Sequence, residues 1–323
     1  MNMSQPAGSS KALRPRLSVV VPCHNEAAVL AETHDRISQV CTAVAGDSYE
    51  IVFVNDGSTD GTWALMQNLA TKGERVVCVD LSRNFGHQAA LMEGLREARG
   101  ERVLVLDADL QDPPELLTDM WSLMEGGAEV VYGHRLSRDG ETWFKRHSAS
   151  FFYRVLNRLS DVRIPTDVGD FRLMSRPVVD ALVGMPEAYP FVRGMVAWAG
   201  FRQVALSYNR SPRHGGSTSY SMLRMLALAL DGVTGFSVAP LRLISQLAFG
   251  TMLLSLVLAC YSIYGWLALS VVPGWTSLFS LVLFMGSLQL LSLGVIGEYV
   301  GRTFMEAKRR PLAVVRQVLR VQP

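Results

Sequence analysis

The chain has 323 residues, of which 49% are hydrophobic and 19% are charged, so it is too long for one small domain and more apolar than a typical soluble protein. Its 31 basic and 29 acidic residues give a formal net charge of +2, a balance that indicates no nucleic-acid partner. Its four cysteines lie far apart and form no C-x-x-C pair, which argues against a disulfide framework and a zinc site and fits a reducing, cytoplasmic setting.

The first segment, residues 1–16, is polar and basic. It contains no apolar core of the length that a secretory signal requires. We expect it to form a flexible N-terminal tail that stays in the cytoplasm.

From Leu17 onward, short apolar runs alternate with longer segments of helical periodicity. This alternation predicts an α/β domain over residues 17–218, built on a mostly parallel, Rossmann-like sheet with helices on both faces. The predicted strands are 17–21, 50–54, 75–79, 102–106, 129–132 and 202–208, and the predicted helices run to about residue 44, from about residue 60, and over 87–99, 114–125 and 143–159.

Polar clusters follow four of the predicted strands. In a parallel sheet the ligands bind at the carboxyl ends of the strands, so we expect these clusters to meet along one edge of the sheet. They cover residues 22–26, 55–61, 83–86 and 107–114.

The fourth cluster begins with two carboxylates, Asp107 and Asp109, and ends with Pro113 and Pro114. Carboxylates two residues apart at a strand end can hold Mg²⁺ or Mn²⁺, because these ions prefer oxygen ligands and leave positions open for a substrate phosphate. A surface turn with ordinary acidic side chains is the alternative.

The C-terminal part of the chain predicts a membrane hairpin. Residues 219–242 are dense in Met and Leu and predict interfacial, juxtamembrane helices, with a buried core helix as the alternative. No charged residue lies between Arg242 and Glu298, a length that suffices for two spans of about 20 residues each, and Pro273 divides the stretch. The two transmembrane helices are expected within residues 243–300, near residues 244–269 and 277–297.

Basic residues flank this apolar stretch on both sides, whereas the loop between the spans carries no charge. By the positive-inside rule, the α/β domain and both termini face the cytoplasm, and residues 301–323 form a basic cytoplasmic tail. We therefore expect a protein of the cytoplasmic (inner) membrane with two transmembrane helices. Gly297 and Gly301 have the spacing of small-residue helix contacts, which form within or between subunits.

Four motifs, in this order and followed by a two-span hairpin, resemble those of the family 2 glycosyltransferases of GT-A fold. More closely, the chain resembles the polyprenyl-phosphate glycosyltransferases, the group that includes dolichol-phosphate mannose synthase and the bactoprenol glucosyltransferases. The resemblance runs from about residue 17 to about residue 320. The motifs are Val-Val-Pro-Cys-His-Asn-Glu, Val-Asn-Asp-Gly-Ser-Thr-Asp-Gly, Asp-Ala-Asp-Leu-Gln-Asp-Pro-Pro and Gly-Asp-Phe-Arg-Leu.

The resemblance implies an inverting transfer of a hexose from a nucleotide sugar to a polyprenyl phosphate at the cytoplasmic face of the membrane. It also implies Mg²⁺ or Mn²⁺ as cofactor and favours a homo-oligomer. UDP-glucose and undecaprenyl phosphate are the expected substrates, with GDP-mannose, N-acetylhexosamine or aminoarabinose donors as alternatives.

A processive polysaccharide synthase is disfavoured because the Gln-x-x-Arg-Trp signature is missing. The acidic set at Asp107, Asp109 and Asp170 argues against a membrane-anchored nucleotide-sugar binder without turnover.

By the same resemblance, the nucleotide site falls on residues after the first two predicted strands. Helix capping or turn closure is the structural alternative for Asn25 and Asp56. The uridine and ribose are assigned to Pro22, Asn25 and Glu26, the base to Asp56, and the metal to Asp107, Asp109 and Gln111.

The acceptor side is implied in the same way. Arg135 and Arg146 match positions that contact the acceptor phosphate, and Arg213 matches an arginine of a basic loop; arginine suits phosphate because its fork makes two parallel bonds. A solvated basic face is the alternative for Arg146. The loop after Arg213 departs from the family pattern, because residues 215–218 read Gly-Gly-Ser-Thr and lack its acid and its base.

Asp170 matches the proposed catalytic base of the family. A lipid monophosphate has a second pKa near ~6 and is already largely dianionic at neutral pH, so it needs little deprotonation to attack. We therefore expect Asp170 to orient the acceptor or a sugar hydroxyl as much as it removes a proton. The structural alternative is an ion pair with Arg172 or another arginine. The six histidines show no ligand spacing, so we expect loop or surface roles for them.

Overall fold

The structure is a computed structural model that describes residues 14–73, 75–136, 168–209, 239–268 and 274–320. The chain divides into two compact units. Of the described residues, the first unit contains those up to 209 together with 311–320, and the second contains 239–268 and 274–310. The predicted helix over 143–159 and most of the predicted juxtamembrane segment lie outside the described residues.

The first unit alternates strands and helices, as the sequence predicts. Its elements in chain order are β1 (Leu17–Cys23), α1 (Leu30–Ala45), β2 (Tyr49–Asn55), α2 (Thr62–Lys72), β3 (Val76–Leu81), α3 (His87–Glu97), β4 (Arg102–Val105), a 3₁₀ turn (Pro114–Leu116), α4 (Leu117–Glu125), β5 (Val130–Arg135), β6 (Val168–Ser175), α5 (Arg176–Gly184), α6 (Val192–Trp198), β7 (Gln203–Tyr208) and β8 (Val315–Arg320).

The strands form one eight-stranded sheet in the order β7-β5-β6-β4-β1-β2-β3-β8. β1 pairs in parallel with β2 and β4, β2 with β3, and β5 with β7. β6 runs antiparallel to β4 and β5, and β8 runs antiparallel to β3. The predicted GT-A-like α/β fold with a mostly parallel sheet is therefore confirmed.

The parallel strands are buried because helices cover both of their faces. Every residue of β1, β2 and β3 is buried, which is typical of parallel strands between two helical layers. On one face Val19 and Ile37 belong to the main apolar cluster. On the other face α3 packs closely, since a Cβ at Gly94 would collide with Val20. This close contact fixes the helix that starts beside the carboxyl edge of the sheet.

The strand order brings the polar clusters together at that edge. β4, β1, β2 and β3 are neighbours and run in parallel, so the loops that follow them meet there. β6 is antiparallel to β4 with Val105 opposite Arg172. Because of this register, the beginning of β6 lies beside the end of β4, and Asp170 comes next to the Asp107 loop.

Three parts of the first unit differ from the sequence-based expectation. The segment around Asp170, expected as a polar stretch, is strand β6, because Phe171 and Leu173 pack into the core while Asp170 and Arg172 are buried and lie near each other. Helices α5 and α6 were not predicted. Residues 315–320, expected as part of the basic tail over 301–323, form strand β8, because Arg316 and Arg320 bind buried carboxylates of the sheet.

The second unit contains two long helices, α7 (Ala239–Ala268) and α8 (Trp275–Lys308). They occur where the two spans were expected, and many of their large apolar side chains are exposed, among them Leu256 and Leu290. Over the residues that the structure describes, no helix meets the combined length and hydropathy that a membrane span requires. The predicted transmembrane hairpin is thus not confirmed.

Candidate active site

Two carboxylates from neighbouring strands face the carboxyl edge of the sheet, with a histidine between them. Asp107 follows β4 and Asp170 lies in β6, while His87 is the first residue of α3. His87 Nε2 lies 3.2 Å from Asp170 Oδ2 and 3.6 Å from Asp107 Oδ1. The predicted metal ligand and the predicted base therefore belong to one cluster.

Asp107 carries a charge that the described residues compensate poorly. Its Oδ1 is buried and makes no hydrogen bond to any described residue. Burial raises the pKa of Asp107, and the nearby charges of Asp170, Asp112 and Asp109 raise it further, against the opposing effect of His87. A buried carboxylate oxygen of this kind is stabilised by a cation. The site thus fits a divalent metal.

The loop that carries the second predicted ligand is sharply bent. Leu110 is buried and has φ +56°, a left-handed conformation that is uncommon for a non-glycine residue and often accompanies functional sites. Asp109 Oδ1 accepts a hydrogen bond from the Gln111 N–H (3.2 Å), and Thr33 Oγ1 donates to the Ala108 carbonyl (2.9 Å). In the described part of the chain, no group of three or more His, Cys, Asp or Glu side chains has the arrangement of a metal site. The roles of Asp109 and Gln111 as ligands remain predictions.

Asp170 is held by a dense set of donors. Arg193 donates from Nε to Oδ1 (2.9 Å) and from Nη2 to Oδ2 (3.2 Å), and Gln88 Nε2 donates to Oδ2 (3.0 Å). Burial alone would raise the pKa of Asp170, but the charge of Arg193 and the hydrogen bonds from His87 and Arg193 hold it well below its usual value. Asp170 is therefore ionised, and a carboxylate of such low basicity is a poor general base.

The structural alternative for Asp170, an ion pair with an arginine, is thus observed. Its close partner is Arg193, while Arg172 Nη2 is 3.9 Å away. His87, Gln88 and Arg193 are the residues that sequence reasoning missed, and His87 lies between carboxylates instead of in an ordinary loop position. Burial tends to lower the pKa of His87, but the hydrogen bond to Asp170 and the charge of Asp107 raise it above its usual value.

Arg135, predicted at the acceptor phosphate, ends strand β5 and is partly buried. Its Nη2 lies 3.2 Å from Asp112 Oδ2, and its Nε donates to Tyr208 Oη (3.3 Å). Tyr208 in turn donates to Asp112, which is fully buried. The guanidinium also covers Gly169, where a Cβ would collide with it. Arg135 is therefore held by Asp112 and Tyr208 beside Gly169, and its contact with the acceptor phosphate stays a prediction.

The two loops predicted to hold the nucleotide are joined through Asn25. Asn25 has φ +59°; its N–H donates to Ser58 Oγ (3.0 Å), and its Oδ1 accepts from the Thr59 N–H (2.8 Å). Pro22 lies at the end of β1, and the Glu26 N–H donates to Thr62 Oγ1 (2.9 Å). These contacts fix the shape of the predicted uridine site, and turn closure, the alternative role of Asn25, is observed.

Asp56 joins the same region to a third loop. It is buried, and its two oxygens accept from the N–H groups of Phe85 (2.7 Å) and Gly86 (3.0 Å). At Gly57, φ is +61° and a Cβ would collide with the backbone of Asn84, so these loops are in direct contact. Turn closure, the alternative role of Asp56, is therefore observed, and its contact with the nucleotide base stays a prediction. Arg146 and Arg213, together with residues 215–218, lie outside the described residues.

Comparison with known proteins adds a family match and full-length relatives. The model of glycosyl transferase family 2 matches residues 18–183. The uncharacterized glycosyltransferase YkcC of Bacillus subtilis is 45% identical over 306 residues, which are 93% of each chain. The prophage bactoprenol glucosyl transferase homolog of Escherichia coli is 36% identical over 310 residues, 94% of this chain and 99% of that protein.

A solved glucosyl-3-phosphoglycerate synthase from Mycobacterium tuberculosis, in complex with Mn²⁺, UDP-glucose and phosphoglyceric acid, is 22% identical, with a TM-score of 0.46 over 72% of this chain and 83% of that one. A likeness of that size supports no inference about substrates.

Proposed function

Because the chain belongs to glycosyl transferase family 2 and is therefore a transferase, we propose that it transfers glucose from UDP-glucose to undecaprenyl phosphate, with inversion at the anomeric carbon. The observation that carries this proposal is the cluster of Asp107, His87 and Asp170 at the carboxyl edge of the sheet. The relative named a bactoprenol glucosyl transferase homolog supports glucose and a polyprenyl acceptor.

On the donor side, the loops around Asn25 and Asp56 would bind the uridine, together with Pro22 and Glu26. Asp107 and Asp109, with Gln111, would hold Mg²⁺ or Mn²⁺. When bound, a divalent cation neutralises the charge that develops on the leaving diphosphate. The buried Oδ1 of Asp107, which accepts no hydrogen bond from the described residues, supports this assignment.

On the acceptor side, a phosphate oxygen of the lipid forms the new bond to the anomeric carbon, and the bond from that carbon to UDP breaks. The phosphate, with a second pKa of about 6, needs little deprotonation at neutral pH. Asp170, already ionised and bound by Arg193, would orient the reacting groups. Arg135, with Arg146 and Arg213, would bind the acceptor phosphate.

We place the enzyme at the cytoplasmic membrane, with its α/β domain in the cytoplasm and the helices of residues 243–300 as its anchor. The absence of charge between Arg242 and Glu298 supports this location, as do the exposed apolar side chains of α7 and α8. The spacing of Gly297 and Gly301 supports a homo-oligomer.

The test is UDP release by the purified full chain in detergent, with radiolabel followed into lipid. We expect release that requires a divalent cation, UDP-glucose and added undecaprenyl phosphate, and that is lost in Asp109→Asn. Label that enters lipid from another sugar nucleotide would replace glucose with that sugar. Absence of release with every common sugar nucleotide would refute the enzyme reaction and leave a nucleotide-sugar binder.

A further inference from the structure

β8, which follows α8 in the described part of the chain, lies at the edge of the sheet against β3. It carries two arginines that bind buried carboxylates at opposite ends of the strand. Arg316 Nη1 donates to Asp80 Oδ2 (3.1 Å), beside the carboxyl edge, and Arg320 Nη1 donates to Glu50 Oε2 (2.6 Å), towards the other edge. Only the first of them lies near the predicted donor site.

Arg316 connects to the β2 loop through two buried side chains. Asp80 Oδ1 accepts from Asn55 Nδ2 (2.7 Å), and Asn55 Oδ1 accepts from the Ser58 N–H (3.2 Å). Asp80 and Asn55 are each 3% exposed, so water competes little for these hydrogen bonds. Ser58 Oγ accepts from the Asn25 N–H. An unbroken series of hydrogen bonds thus runs from β8 to the predicted uridine site.

Arg316 also fixes the loop that follows β3. Its Nη2 donates to the Ser82 carbonyl (2.8 Å) at the start of residues 82–86. The end of the same loop is bound by Asp56, and its middle packs on Gly57. One guanidinium therefore contacts the loop after β3 directly and is connected to the loop after β2 through Asp80 and Asn55.

We propose that Arg316 is a positioning residue of the donor site, and that by holding Asp80 and Ser82 it sets the affinity of the enzyme for uridine nucleotides. This inference rests on the nucleotide site of the proposed function. Loss of Arg316 leaves the buried Asp80 carboxylate without this cation, and a buried charge that loses a donor rearranges its surroundings. The loops that share its hydrogen bonds then lose their fixed conformation.

The expected effect is moderate because the Arg316 side chain is 62% exposed. Solvent weakens such a pair, so we expect Arg316→Gln to raise the Kd for UDP about three- to tenfold. Arg316→Lys keeps the charge and should recover part of the affinity. Arg320→Gln is the matched control, because Arg320 lies on the same strand and binds the buried Glu50 at the opposite end.

The experiment measures UDP binding by calorimetry with Mn²⁺, the KM for UDP-glucose against kcat, and amide hydrogen exchange, all on the full chain. For Arg316→Gln we expect a raised Kd and KM, kcat within about twofold, and faster exchange at Ser58, Phe85 and Gly86. For Arg320→Gln we expect a lower Tm with unchanged exchange in these loops.

Equal loss of UDP affinity in both variants would overturn the inference, because it would reflect general weakening of the sheet edge. Unchanged exchange in the two loops of Arg316→Gln would also overturn it. A wild-type enzyme that binds UDP but transfers no sugar to lipid refutes the proposed function alone, since binding and exchange still decide the role of Arg316. A wild-type chain with no affinity for UDP refutes both.

Discussion

Replacement of Arg193 by Met should destabilise the enzyme strongly at neutral pH. The change removes the two guanidinium hydrogen bonds of Asp170, whose side chain is only 4% exposed. Removing one partner of a buried ion pair lowers the free energy of unfolding by roughly 3–5 kcal/mol. Arg193 is itself 29% exposed, and His87 and Gln88 remain as donors, so we expect about 3 kcal/mol.

The pH dependence follows from the direction of the pKa shift. The pKa of Asp170 is held well below its usual value, so its stabilising effect is present above the unfolded-state pKa and is lost as pH falls through the lower folded-state value. Without Arg193, burial raises the pKa of this carboxyl. The difference in stability between wild type and variant should therefore be largest at pH 7 and shrink as pH falls to 4 and below.

The assay is urea unfolding of the full chain in detergent, measured for Arg193→Met, Asp170→Asn and the double variant. We expect the double variant to lose clearly less stability than the sum of the single changes, with a coupling of about 2 kcal/mol. The surface pair Arg36 and Glu115, which also has short hydrogen bonds but 30% and 54% exposed side chains, is the control and should couple by under ~1 kcal/mol. Additive losses at Arg193 and Asp170 would refute the reasoning.

Three further predictions concern the reaction and its ligands. Asp170→Asn should lower the transfer rate by a similar large factor at pH 7 and pH 9, where the acceptor is increasingly ionised; a loss that disappears at high pH would restore simple base catalysis. Asp107→Asn removes a partly buried charge that burial and neighbouring carboxylates disfavour, so its Tm without metal should be equal to or above that of wild type, while Mn²⁺ should raise the Tm of wild type only. Stabilisation of both by Mn²⁺ would contradict the metal assignment. Gly57→Ala should lower UDP affinity by about 1–3 kcal/mol, because φ is +61° and the new Cβ would meet the Asn84 backbone; Gly184→Ala, where a Cβ meets open space, is its control.

The core strands could be predicted because their signal is local. β1, β2 and β3 each contain a run of mostly apolar residues and are followed by polar loops, and burial on both faces produces that pattern directly. The meeting of the polar loops at one edge then followed from parallel topology alone. Because Asp107 directly follows a predicted parallel strand, the sequence alone predicts it as a metal ligand at this edge.

The residues that escaped prediction depend on contacts between distant segments. β6 looked polar because Asp170 is charged, and that charge can be buried because Arg193, His87 and Gln88 bind it. β8 looked like a solvated basic tail, because the acids that its arginines bind lie more than two hundred residues earlier, at Glu50 and Asp80. No local pattern signals such pairs.

The position of β8 also determines how the α/β domain can be produced by itself. A chain that ends before β8, for example one cut ahead of α7, lacks the strand that pairs with β3. An unpaired sheet edge is prone to pair with other chains and aggregate. Such a chain also leaves Glu50 and Asp80 buried without their arginines. During synthesis, the described sheet is complete only after β8 has left the ribosome. A soluble version should therefore retain residues 311–320, joined through a linker long enough to cross the sheet, because β7 and β8 are its opposite edge strands.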